Sequence, residues 1–249
     1  MKVTNEVLMI LGQCEVVNQT IKLPDIQLDK KVYAAVNKVL LEMGGKWNRK
    51  AKAHCFYDNV DVQGIYSQTI ETGEVVAVFK QIQFFETPLI VVEEILRHAK
   101  LGSGVTILEP SAGKGAIAGQ IIEMGFNVCA CEKHDPFIKI LRDIGCSLLG
   151  RDFLQYEPTK PFDRILANPP FTKQQDIKHV NHMLDCLAVG GRLVTVMSSG
   201  FEFRADKLTI GLKDRLDESC DWHSFALPEG SFKESGTNVS TILLVADKL

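Results

Sequence analysis

At 249 residues the chain has room for one large domain, or for one such domain with a small appendage. Its 45% hydrophobic and 24% charged composition excludes a disordered chain, and it holds no apolar run near the roughly 18 residues that span a bilayer. A net charge of -3 excludes a polycation, so a nucleic-acid partner would have to be met by a local patch.

The opening Met1-Lys2-Val3-Thr4-Asn5-Glu6 lacks a signal peptide's apolar stretch and small-residue cleavage site, so a cytoplasmic protein with no membrane partner is expected. The first 80 residues form one expected region. A helix is predicted from Asp29 to Glu42, where Val32, Val36, Val39, Leu40 and Met43 recur at helical spacing and Gly44-Gly45 ends the run. Next comes a basic stretch containing Lys46, Trp47, Arg49, Lys50 and Lys52, then His54-Cys55-Phe56-Tyr57. Interleaved cations and aromatics suit phosphates and unstacked bases. The alternative is a solvated basic turn with Trp47 packed in the core. A strand is predicted over Val75 to Phe79.

From about Gln81 short apolar runs alternate with amphipathic helices, the pattern of an α/β fold with a mainly parallel sheet. Strands are predicted at Val105–Leu108, Asn127–Cys131, Cys146–Leu149, Phe162–Ala167, Arg192–Met197, Trp222–Leu227 and Ser240–Val245. Helices are predicted at Leu89–His98, Ala116–Met124, Pro136–Asp143, Ile177–Leu187 and Lys207–Leu216. The seven cysteines show no disulfide-like framework, and Cys129 and Cys131 read as small hydrophobes on one face of a strand. His179 and His182 read as part of a solvated helix face, and no metal site is expected.

The first of these strands runs into Glu109-Pro110-Ser111-Ala112-Gly113-Lys114-Gly115 and a helix, a ligand-binding corner. Gly113-x-Gly115-x-x-Ala118 also fits a loose dinucleotide fingerprint. An acid at the strand's end repels phosphates but suits a cationic α-amino group. Glu132, 23 residues further on and followed by Lys133, ends the next strand, where an acid can accept both ribose hydroxyls. Asp152 after the third strand could accept from a cofactor's adenine amino group, with Phe153 giving a backbone N–H or a ring face; the other reading is a plain turn.

The fourth strand ends in Asn168-Pro169-Pro170-Phe171. Two prolines stiffen the chain and remove two donors while keeping their carbonyls. The Asn adds a side-chain acceptor. Several fixed acceptors and few donors fit a planar –NH₂, and acceptors on both N–H bonds favour charge build-up on a nitrogen receiving a methyl group. Phe171 can stack on a flat substrate.

Together these residues resemble the amino-methyltransferases that carry Asn-Pro-Pro-(Tyr/Phe), in the gamma order of the DNA adenine-N6 enzymes. The resemblance covers residues 81–249. It implies a class I methyltransferase, Rossmann-like sheet of seven strands, mostly parallel with the last antiparallel, plus a small N-terminal α+β appendage over residues 1–80. It further implies S-adenosylmethionine as cofactor, adenine in DNA as substrate and catalysis at Asn168 to Phe171. Cofactor contacts are implied for Phe85 and Thr87 of Phe84-Phe85-Glu86-Thr87-Pro88, for Glu109, Ser111, Ala112, Gly113, Gly115, Glu132, Lys133, Asp152 and Phe153, and for Asn168. The loop Gly230–Thr241, with Ser235, Thr237 and Asn238, is implied to flank the substrate; Lys46, Trp47, Arg49, Lys50 and Lys52, outside the resemblance, and Phe171 are candidate substrate contacts from their residue types alone. No large target-recognition domain follows, as in small orphan and phage methyltransferases, and a monomer is expected. A flipped-out base is required for a duplex target. Rival readings are methylation of a glutamine amide in a protein or of adenine in RNA, a non-catalytic module that binds cofactor or nucleic acid, and a nicotinamide oxidoreductase.

Overall fold

The computed structural model describes residues 1–56, 60–75, 86–233 and 239–249. The chain divides into two compact units, Met1–Phe84 and Phe85–Leu249. The predicted strand over Val75 to Phe79 lies outside the described residues beyond Val75, and Tyr57 lies outside them too.

The first unit contains α1 (Asn5–Leu11), β1 (Glu15–Val17), β2 (Thr20–Lys22), α2 (Lys30–Glu42), β3 (Lys46–Asn48), β4 (Ala53–Cys55) and α3 (Val62–Thr72). Its four strands form an antiparallel sheet in the order β1-β2-β4-β3. The Asp29 side chain accepts from the Lys31 N–H at 2.8 Å and caps α2, and Gly44 follows its end at φ 101°. Val36, Val39 and Leu40 from α2 and Met43 at its end join Val7, Leu11, Ile21 and Phe56 in one core.

The second unit is built on a seven-stranded sheet. Its elements are α4 (Leu89–Ala99), β5 (Ile107–Glu109), α5 (Ala116–Glu123), β6 (Val128–Cys131), α6 (Asp135–Asp143), β7 (Ser147–Gly150), β8 (Phe162–Ala167), α7 (Gln175–Cys186), β9 (Leu187–Ser198), α8 (Gly200–Phe203), α9 (Lys207–Ser219), β10 (Cys220–Ala226) and β11 (Thr241–Lys248). The spatial order is β10-β11-β9-β8-β5-β6-β7. Strands β5 to β9 pair in parallel, while β11 runs antiparallel to both β9 and β10. This is the expected class I methyltransferase, Rossmann-like architecture, with the last strand reversed.

Period-two alternation assigns the two faces. Ile165, Ala167, Leu193, Met197, Ile242 and Leu244 pack with Ile177, Val180, Met183 and Leu184 of α7 and with Leu212 and Leu216 of α9. Leu166, Val194, Val196, Leu243 and Val245 pack with α4 and α5 on the other side. Each Val, Leu, Ile or Met among them contributes about 1.5–3 kcal/mol by burial. Cys131 is fully buried and Cys129 packs beside it, both on the α7 face.

Most expected boundaries move by one to three residues, and two of the changes have a visible cause. The first strand begins at Ile107, because Thr106 instead gives its N–H and hydroxyl to the Asp163 carboxylate at 2.8 and 2.7 Å. Leu187 begins β9 and does not end α7: Phe162 pairs with Leu187 and Arg164 with Arg192, so residues 188–191 bulge out, with Gly190 at φ 74°.

Candidate active site

The order of strands reverses at β5 and β8. In an open parallel sheet the crevice outside the carboxyl ends of such strands is where ligands bind. The side chains following β5, β6 and β8 meet there.

The turn after β5 depends on two left-handed glycines, Gly113 at φ 54° and Gly115 at φ 82°. A Cβ on Gly115 would stand 2.7 Å from Ile144 Cδ1. The Ala112 N–H donates to the Cys131 carbonyl at 3.1 Å. Glu109 is 2% exposed and accepts the Ala118 N–H at 2.8 Å, capping the start of α5. Burial holds its carboxyl well above the usual range; the Ala118 N–H opposes this and the Glu132 charge adds to it.

Glu132 is no solvated carboxylate. It is 7% exposed, and its two oxygens accept N–H groups of Gly113 and His134, each at 2.7 Å. Burial raises its pKa against those hydrogen bonds. Ionised, it keeps lone-pair capacity beyond these backbone N–H bonds. Lys133 Nζ donates to Asp152 Oδ2 at 3.2 Å, and Asp152 Oδ1 accepts the Leu154 N–H at 3.2 Å. The ring face of Phe153 is not offered to a ligand: it is 2% exposed and packs on His182 and His179, with centroids 4.6 and 5.6 Å away.

That packing also corrects the reading of the two histidines. His179 is 7% exposed, bonded through Nδ1 to the Ser111 hydroxyl at 3.2 Å, and burial lowers its pKa to about 4. His182 bonds the Tyr156 carbonyl at 2.8 Å. They face the sheet because α7 turns them inward beside Val180 and Met183. Groups of three or more His, Cys, Asp or Glu able to hold a metal are absent among the described residues.

Asn168 follows β8. Its Nδ2 donates to Thr87 Oγ1 at 3.1 Å, and its Oδ1 is buried with no hydrogen-bond partner. The segment just before α4 therefore reaches both loops, because Glu86 also accepts from Lys114 of the glycine turn at 3.0 Å. Pro169 is buried and Pro170 half-buried. The Phe171 ring meets Phe232 edge to face at 6.4 Å. Phe232, buried in the loop between β10 and β11, was not singled out in the sequence. Phe84, Phe85, Ser235, Thr237 and Asn238 lie outside the described residues.

Asp176, Phe203 and Arg204 were also missed. Asp176 is fully buried, accepts the N–H and hydroxyl of Ser198 at 3.1 and 2.9 Å, and joins the start of α7 to the end of β9. In the first unit, Trp47 is 43% exposed and Lys46, Arg49, Lys50 and Lys52 are exposed on the β3–β4 hairpin. His54 and Phe56 depart from that pattern: they are buried, and His54 Nε2 bonds Asn37 Oδ1 at 2.8 Å.

No protein-family profile matches the sequence, and no curated protein sequence matches it. Among solved structures, the chain is similar to a proposed class I S-adenosylmethionine-dependent methyltransferase from Listeria monocytogenes, with TM-score 0.56 and 15% identity over 98% of this chain and 87% of that one. It is similar to a modification subunit of a proposed type I restriction enzyme from Vibrio vulnificus, with TM-score 0.56 and 18% identity over 88% and 52%. It is also similar to TrmN from Thermus thermophilus, with TM-score 0.50 and 22% identity over 65% and 49%. The chain spans about half the length of the last two. The shared feature is the fold, that of class I methyltransferases.

Proposed function

We propose that the protein transfers a methyl group from S-adenosylmethionine to the exocyclic N6 nitrogen of adenine in DNA. The observation that carries this reading is the bare acceptor of Asn168. A buried amide oxygen without a partner forfeits hydrogen-bond energy of about 1–3 kcal/mol, which a ligand N–H restores. It stands at the carboxyl end of β8, beside the glycine turn, where the strand order reverses.

The crevice suits the cofactor. Left-handed Gly113 and Gly115 let a ligand approach the backbone closely, and in this reading Glu132, next to that turn, receives the ribose hydroxyls with its remaining lone pairs. An ammonium group beside Glu109 would oppose the desolvation that raises its pKa. When bound, S-adenosylmethionine supplies an electrophilic methyl group on a sulfonium, an excellent leaving group. Asn168 Oδ1 and the carbonyls of the Pro-Pro segment then accept the two N–H bonds of the substrate amine. That would favour the positive charge the nitrogen gains as the C–S bond breaks and a neutral thioether departs, a charge then removed by loss of one N–H proton to solvent. Phe171 holds the flat base in place. Asp152, Ser111, Ala112 and Lys133 complete the reading of the cofactor side.

DNA is favoured by the exposed Trp47 and the four cations of the β3–β4 hairpin, which make the first unit a substrate-contacting appendage in this reading. The test is methyl transfer from labelled S-adenosylmethionine to duplex DNA, single-stranded DNA, RNA and whole-cell protein, followed by identification of the methylated atom. N6-methyladenine in DNA is the expected product. Label confined to a glutamine amide in protein, or to RNA, overturns the substrate assignment.

A further inference from the structure

Beyond β9 the chain turns through Ser199 into α8. Phe203 at the end of α8 is 75% exposed, more than any other Phe, Tyr or Trp among the described residues. Water gains nothing from such a ring, and its neighbour is equally out of balance. The Arg204 guanidinium lies against Gly200, where a Cβ would stand 2.6 Å from Cζ and Nε and 2.7 Å from Nη2. Its Nη1 is buried with no hydrogen-bond partner, and no ion pair forms with Arg204 among the described residues. Leaving a cationic N–H unsatisfied is costly, and an anionic oxygen repairs it best.

This corner is tied to the proposed catalytic motif. Gln174 Nε2 donates to Asp206 Oδ2 at 2.7 Å. Gln174 and Lys173 follow Phe171 closely, and both are held in left-handed conformation at φ 57° and 55°. Asp206 is committed locally, since its Oδ1 caps α9 by accepting the N–H groups of Leu208 and Thr209, each at 3.1 Å. Lys173 is exposed. A flat ring, a guanidinium in want of an anion and an exposed lysine therefore flank the segment that runs on from Asn168 to Gln174.

We propose that this rim binds the nucleic-acid strand beside the target adenine, with Arg204 swinging from Gly200 onto a phosphate and Phe203 stacking on a neighbouring base left unstacked when the adenine is extruded. The proposal rests on the assignment of DNA as substrate. Stacking of bases on exposed aromatics tolerates any sequence, and cation–phosphate contacts set a salt-dependent affinity. The site would thus hold DNA without choosing its sequence.

The test is fluorescence anisotropy of a short labelled DNA duplex at several salt concentrations, with methyl transfer measured on the same duplex. Arg204→Gln is expected to weaken binding at low salt and to lower the salt slope by about one. Arg204→Lys should restore the slope. Phe203→Ala, at an exposed position that folding does not need, is expected to weaken binding about tenfold with the slope unchanged. All three should keep wild-type affinity for S-adenosylmethionine. Wild-type duplex affinity and slope in both Arg204→Gln and Phe203→Ala, in a protein whose parent methylates the duplex, overturn the rim alone. A parent that neither binds nor methylates the duplex, yet methylates RNA or protein, overturns the substrate assignment beneath it.

Discussion

Asn168 Nδ2 donates to Thr87 Oγ1 at 3.1 Å, while the other end of the same amide, Oδ1, is buried without a partner. One contact thus fixes the plane of the amide and leaves its acceptor for a substrate. Asn168→Ala is expected to lower kcat by at least about a hundredfold, the scale of losing one electrostatic contact to the reacting group, with S-adenosylmethionine binding retained. Thr87→Val should lower kcat by a smaller factor, because the amide persists but can rotate. Wild-type turnover in Asn168→Ala would remove that residue from the mechanism.

Glu132 couples cofactor binding to folding. Its carboxylate receives the Gly113 and His134 N–H groups, so Glu132→Ala strands one buried and one partly buried donor as well as removing the proposed ribose acceptor. Affinity for S-adenosylmethionine is expected to fall by at least about tenfold and the midpoint of thermal unfolding to drop. Glu132→Gln retains one oxygen, and should recover more stability than affinity. Isothermal titration together with calorimetric melting separates the two. Full affinity in Glu132→Ala would confine the residue to a structural role.

The second unit was far more legible in the sequence than the first. Phe162–Ala167 is found with its expected bounds, since the apolar Ile165-Leu166-Ala167 closed by Asn-Pro-Pro fixes where the strand ends. In the first unit β1 to β4 are three residues each, too short to show alternation. The β3–β4 hairpin carries exposed cations on β3 and in its turn, yet buries His54 from β4, a split that the run of residue types conceals. Within the candidate site, glycine and proline spacing marked the loops. The partners Ser111–His179 and Asp176–Ser198 were invisible, because they join residues 68 and 22 positions apart. Arg204 gave one weak signal, a glycine four residues before it, which means nothing until a guanidinium is seen lying on it.

Gly115 is required twice over. Its φ of 82° is left-handed, and the space a Cβ would enter is held by Ile144 Cδ1 at 2.7 Å and Leu141 Cδ2 at 3.1 Å. Gly115→Ala is expected to destabilise the second unit by about 1–3 kcal/mol and to weaken cofactor binding through the displaced turn. Chemical denaturation measures the first effect and titration the second. A variant as stable as wild type would show that α6 yields at no cost.

His179 makes stability depend on pH with a definite sign. Its pKa falls from 6.5 to about 4 on burial, so the unfolded chain binds a proton that the native one refuses. Its full contribution is present above pH 6.5 and is lost as pH falls toward 4, a loss of roughly 3 kcal/mol at most. Glu109 and Glu132, whose pKa values are raised, act oppositely: the native state holds their protons longer, and stability falls as pH rises above about 4.5. The whole-protein curve therefore mixes both signs, and His179→Gln isolates one. Urea melts between pH 7 and 4 should show a shallower acid loss in the variant. An unchanged slope would mean that His179 accepts its proton without unfolding.

The β3–β4 hairpin sets Lys46, Arg49, Lys50 and Lys52 in solvent around a Trp47 ring whose edge meets His54 at 5.3 Å. Four cations near a polyanion release counterions on binding, and each phosphate neutralised steepens the dependence of affinity on salt by about 0.9 in logarithmic slope. Replacing all four with Gln is expected to flatten the slope of duplex binding by up to about three or four, leaving S-adenosylmethionine affinity and fold intact because none of the four is buried. Trp47→Ala should weaken binding without moving the slope, since stacking involves no counterion. If the quadruple variant keeps the wild-type slope, the hairpin is a solvated turn, and the cations that hold DNA must lie elsewhere, with Lys173 and Arg204 the first to examine.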